Sequence, residues 1–245
     1  MNQEPTERGK PMLGVRHAML VYAAPRSLFA RVEDTGAYGW ALGTLLALVM
    51  LIGYAEVQTG LIDQTVDQRT EESRAKLEKE QGHLIERVEL SSRMEAISKQ
   101  GEFNKLMTRL GRVVVAPVQM LASFLLIASV LYAIVALTGR KPEYHTLMSL
   151  CVYAGFIELL AQTIRLGMVL YYRTIDVDTS LGMLAAPGKP SVLAAIDPFL
   201  IWFWVLVAIG LIVTRQLSRR TAIATCAVMA ILAMAARVGL MYAGS

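Results

Sequence analysis

Cysteine is nearly missing from this chain: only Cys151 and Cys226 occur, and both sit inside apolar runs. Neither belongs to a C-x-x-C pair, so a disulfide framework has no basis. Histidine is almost as scarce. His17, His83 and His145 stand far apart, which leaves no zinc-ligand spacing, and neither a metal nor another cofactor is expected. The sequence also lacks G-x-S-x-G, H-E-x-x-H, a phosphate-binding glycine loop and an intramembrane pair of aspartates. No catalytic residue is assigned, and an enzyme is not expected. The net charge is +4, but no basic stripe is interleaved with aromatics, so nucleic acid is not an expected partner. The first long apolar block starts near Tyr38, too far along for a signal-peptide core, and no cleavage pattern follows it.

What the chain has in quantity is apolar sequence in long blocks. Hydrophobic residues make up 55% of it, gathered into runs of the roughly 20 residues that a helix needs to cross about 30 Å of hydrocarbon. Five spans are predicted, near 38–57, 113–137, 146–172, 198–214 and 221–242. Tyr38, Trp40 and Tyr54 bracket the first, and Pro117 falls in the opening turn of the second. Tyr171, Tyr172 and Arg173 end the third as an aromatic-plus-basic anchor. Asp197 before Pro198 starts the fourth, an N-cap followed by a proline at the first helical position. The fold class is therefore an all-α polytopic membrane protein. Its parts are a cytoplasmic tail and interfacial segment (1–35), a first span (36–57), an extramembrane helical loop (58–111) and a four-helix membrane part (112–243).

The loop 58–111 carries ten acidic and nine basic residues, with apolar positions at Leu77, Leu84, Val88, Met94 and Ile97. Glu72–Lys76, Glu89–Arg93 and Glu95–Lys99 have the favourable i, i+4 order. One or two solvent helices are predicted, with Gly82 and Gly101 as breaks. Basic residues in the tail (Arg8, Lys10, Arg16, Arg26, Arg31) and in the loops 138–145 and 215–220 place the N-terminus inside and the C-terminus outside. Arg140, Lys141, Arg215, Arg219 and Arg220 supply the loop charges.

Several short motifs then fall in a telling order. Ile196-Asp197-Pro198-Phe199-Leu200-Ile201-Trp202, Ile209-Gly210-Leu211 and Leu217-Ser218-Arg219-Arg220-Thr221-Ala222 resemble the late part of the Yip (Rab/Ypt-interacting-protein) domain family. There, an Asp-x-Phe-x-x-Trp element opens the fourth span and a basic turn leads into the last. Ala24-Pro25-Arg26-Ser27-Leu28-Phe29 is similar to the family's segment before the first span, and Gly139 to Leu150 with Tyr153 to its entry into the third. The resemblance covers about 24–57 and 113–243; bacterial members often carry an insertion where the charged loop lies. The eukaryotic Asp-Leu-Tyr-Gly-Pro motif is absent, so Rab-type GTPase binding is not carried over. The resemblance implies a membrane scaffold or an accessory of transport systems, some of them ABC-type exporters in bacteria, and no catalytic residues.

Glu158, Gln162 and Arg165 lie at offsets of zero, four and seven, on one helical face of the third span. Ionisable groups there cost about 2.5–3.5 kcal/mol each on insertion scales and are candidate functional residues. Arg237 lies in the last span, and Asp197, Pro198, Phe199 and Trp202 form the motif of the fourth. Three readings stay open: mutual neutralisation (Glu158 with Arg165, Asp197 with Arg237), an ion or substrate path, or a polar docking face. The expected role is an accessory or scaffold of the bacterial inner membrane. Its partners would be lipid and other membrane proteins, ABC-type transporter subunits among them. A homo-oligomer through Gly39-x-x-x-Gly43 stays open, and a small transporter or channel using the polar stripe is the alternative.

Overall fold

The computed structural model describes residues 18–35, 38–81, 87–175, 177, 179–184, 193 and 196–243. Among the described residues regular structure is helical, without strands. In chain order the helices are α1 (Leu20–Ala23), α2 (Pro25–Thr35), α3 (Gly39–Gln58), α4 (Leu61–Gln81) and α5 (Arg87–Leu110). They continue with α6 (Ala116–Leu137), α7 (Tyr144–Ala154), α8 (Phe156–Tyr172), α9 (Pro198–Val213) and α10 (Arg219–Ala243). Among the described residues four helical stretches are long and apolar enough to cross a membrane: Gly39–Gln58, Val88–Leu137, Tyr144–Tyr172 and Arg219–Gly239. The fifth apolar helix, α9, has 16 residues and is about 24 Å long. The protein is a multi-pass membrane protein with the predicted helical segments. Two compact units divide it: Met1–Ala47, Met120–Gln162 and Asp178–Ser245 form the first, and Leu48–Gln119 with Thr163–Val177 the second.

Apolar packing builds the first unit. α9 packs on α10, α7 and α2. α7 is covered on every side, with Thr146 to Ala154 all buried. α6 buries Met120, Phe124, Ala128, Leu131 and Val135, a residue every three or four positions, and leaves Leu125, Leu126 and Tyr132 outward. α2 buries Leu28, Phe29 and Val32 completely or nearly so. That face packs on α7 and α9, and Pro25 begins the helix. Two close approaches fix the packing. A Cβ at Gly210 would come within 2.6 Å of Leu150 Cδ2, and one at Gly155 would strike the Phe124 ring. Gly155 also breaks the predicted third span into α7 and α8, where the Tyr22 hydroxyl donates to the Phe156 carbonyl at 2.5 Å.

The second unit contains the charged loop, which is a helical hairpin. α4 and α5 run antiparallel, and their contacts keep one register: Asp63 with Arg109, Asp67 with Lys105 at 2.7 Å, Thr70 with Gly101, and Arg74 with Ser98. Each step of three or four residues along α4 is met by a step of three or four back along α5. Gly101 is thus a contact point inside a helix rather than a break, because a Cβ there would lie 2.6 Å from the Thr70 hydroxyl. Gly82 and Leu84 lie outside the described residues. Two of the expected i, i+4 pairs form, Arg93–Glu89 at 2.6 Å and Lys99–Glu95 at 2.8 Å; Glu72 and Lys76 do not pair.

No loop separates the hairpin from the second span. α5 continues through a π-helical turn, Gly111–Val115, into α6. Pro117 has no N–H to offer the carbonyl four residues back, and widening the turn accommodates the missing donor. Gly53 of α3 lies against this turn, close enough that a Cβ would strike the Arg112 carbonyl. A small apolar core, Leu61, Val169 and Val177 with Met168 and Ile175 beside it, completes the unit.

Candidate functional site

The polar residues singled out in the spans fall into two clusters. In the first unit, Asp197 ends an extended residue ahead of α9. Its Oδ1 accepts from the Phe199 N–H at 2.9 Å and, at 3.4 Å, from that of Leu200, while Pro198 fills the first helical position. Its other oxygen, Oδ2, accepts from Arg237 Nη1 at 2.8 Å. One carboxylate therefore caps α9 and ties it to α10. Asp197 is buried, whereas the Arg237 side chain is 42% exposed. Glu158, in the first turn of α8, hydrogen-bonds Gln162 one turn on and interacts electrostatically with Asp197 and Arg237. Phe199 is half-buried and Trp202 turns outward.

Arg165 belongs to the other cluster. It does not neutralise Glu158 as one reading of the stripe predicts, because its donors are engaged in the second unit. Nη2 donates to Glu56 Oε1 at 3.3 Å and to the Ile175 carbonyl at 3.3 Å, and Nε donates to the Val177 carbonyl at 3.1 Å. Arg112 Nε approaches the same Glu56 oxygen at 3.6 Å. The Glu56 side chain is only 6% exposed, so a buried carboxylate sits between two arginines drawn from the π-turn and from α8. The Glu158, Gln162 and Arg165 stripe is therefore divided between two sites.

Sequence reading missed Glu56 and Arg112. Glu56 lies inside the predicted span, one acid near the end of an apolar run, and Arg112 immediately precedes Val113, where the second span was expected to begin. A lone charge in the last turn of a span was the available signal.

Among the described residues no three His, Cys, Asp or Glu side chains come together as metal ligands. Cys151 and Cys226 are both free and buried. A chain of membrane helices with a capped Asp-Pro-Phe start and paired intramembrane charges fits a family by its whole length, and the Yip1 domain model matches residues 19–240. The chain belongs to the Yip1 domain family. No curated protein and no solved structure matches it. The matched range brackets the charged hairpin as well as the spans.

Proposed function

We propose that this Yip1-domain protein is a non-enzymatic scaffold of the bacterial inner membrane, an accessory of a transport, ABC-type export or trafficking complex. Its N-terminus lies inside and its hairpin outside. The observation that carries the reading is the outer face of α5. Phe103, Leu106, Met107 and Leu110 are 58, 51, 44 and 42% exposed, and their spacing of three, one and three puts them on one side of the helix. The charged seam with α4 occupies the other side. An exposed apolar ridge opposite a charged seam is the kind of surface that a protein partner would cover. The transporter alternative is weakened because Arg165 leaves the stripe for Glu56.

A photocrosslinking residue at Met107, compared with one at Lys99, tests this in mild detergent. The expected product at Met107 is an adduct with a different membrane protein, lost when Leu106→Asp is added. Adducts with copies of this chain alone would sink the accessory role.

A further inference from the structure

The cluster around Glu56 holds two arginines and one carboxylate. Arg165 is engaged by Glu56 and two carbonyls. Arg112 reaches Glu56 through Nε alone, and its two terminal nitrogens have no hydrogen-bond partner among the described residues. Its side chain is 35% exposed. Position matters here as much as charge. Arg112 directly precedes the apolar run that opens with Val113, and Glu56 stands two residues before the end of α3. Both belong to the ends of spans, the depth at which lipid headgroups lie. A planar guanidinium whose two terminal nitrogens have no protein partner among the described residues matches a pair of phosphate oxygens, which it binds bidentately and without titrating.

We infer that Arg112, held in place by Glu56, binds the phosphate of an anionic phospholipid in the leaflet next to the hairpin. Glu56 fixes the stem end of the guanidinium, so little side-chain freedom is lost when the lipid arrives. Arg165 holds Glu56 in turn and keeps its charge from cancelling that of Arg112. The site is independent of the scaffold role, since it lies on the seam side of the α5–α6 helix and not on its exposed ridge. Asp176 and Asp178 flank Val177 in the sequence and lie outside the described residues, so the test includes them.

Full-length protein in detergent, mixed with equal amounts of phosphatidylglycerol and phosphatidylcholine, is examined by native mass spectrometry for retained lipid. Wild type should retain phosphatidylglycerol about tenfold more than phosphatidylcholine. R112Q should lose that preference. R112K keeps the charge without the fork and should fall between the two. R109Q removes a neighbouring arginine already held by Asp63 and should match wild type. Should R112Q fail to give monodisperse protein, the R112K and R109Q pair decides: the inference fails if both retain lipid as wild type does. It also fails if wild type shows no preference, including the case in which D176N/D178N then acquires one. Competition by inorganic phosphate separates the two sources of the anion. An unchanged lipid signal in excess phosphate supports the lipid site, and displacement would reassign Arg112 to the free ion.

Discussion

In the first unit, α7 buries nine consecutive residues, and its neighbours touch it through leucines, aromatics and the bare backbone of Gly210. In the hairpin, α4 and α5 meet through Asp63, Asp67, Thr70 and Arg74 on one side and Arg109, Lys105, Gly101 and Ser98 on the other. The difference concerns dielectric as much as composition. Polar groups in the spans come in small sets: Glu56 and Asp197 each face an arginine, and Glu158 hydrogen-bonds Gln162, because an unpaired charge there is costly. In the hairpin ion pairs are frequent and exposed, and each contributes only about 0–1 kcal/mol. The six cross-helix, i, i+3 or i, i+4 pairs among the described residues of the hairpin would therefore stabilise it only modestly.

The largest effect should come from the one site where the two regimes meet. Glu56→Ala leaves Arg165 and Arg112 facing each other without their buried carboxylate. The expected loss is about 3–5 kcal/mol, read as a fall in the thermal midpoint in detergent. Asp63→Ala, which removes a carboxylate whose side chain is 33% exposed, should cost under about 1 kcal/mol. Equal losses would show that burial is not what separates the two regions.

A middle-sized effect is expected at Asp197, which does two jobs with two oxygens. Asp197→Ala removes the cap of α9 and the partner of Arg237. Loss of the cap costs about 1 kcal/mol, and loss of the pair adds no more than about another because Arg237 is partly exposed. Asp197→Asn keeps a capping oxygen and gives up the charge. It should recover roughly half the loss in a thermal unfolding series; full recovery would mean that Arg237 contributes nothing.

Much of this architecture is legible in the sequence, for reasons that differ by residue. The spans read directly from length, and the start of α9 from Asp197-Pro198, because a cap and a fixed proline φ act within three residues. The Asp197–Arg237 contact needed only the two charges and the known sign of their attraction. The fate of Arg165 was not legible. Glu158 is a full helical repeat away on the same face, whereas Glu56 is 109 positions away, and only the packed chain shows which one Arg165 reaches. The π-turn escaped for a similar reason. Pro117 announces a missing donor, but whether the helix stops or widens there depends on Gly53, which lets α3 close against the Arg112 carbonyl. The poor helix propensity of Gly101 predicts a break there; contact with Thr70 overrides that propensity.

The smallest effect concerns the hairpin seam itself. Lys105 accommodates two acids, Asp67 at 2.7 Å and Glu102 at 2.8 Å, and these hydrogen bonds, Asp67 first, push its pKa from 10.5 up to about 12. A cation whose folded pKa is raised adds stability that is complete below the unfolded value and lost as pH climbs through the folded one. The seam should therefore be insensitive to pH through neutrality and loosen between pH 10.5 and about 12. Molar salt should loosen it at neutral pH, because it shortens the Debye length to about 3 Å. Amide protection factors in α4 and α5, the exchange rates divided by the intrinsic rate at the same pH and salt, read both effects, with α7 as the internal reference. Protection in the hairpin should fall several-fold under either condition while that of α7 stays unchanged. A K105M variant should be less protected than wild type at pH 7 and show no further loss of protection between pH 10.5 and 12. A hairpin that exchanges alike in low and molar salt is held by apolar contact after all, and the contrast between the two regions would then be one of location only.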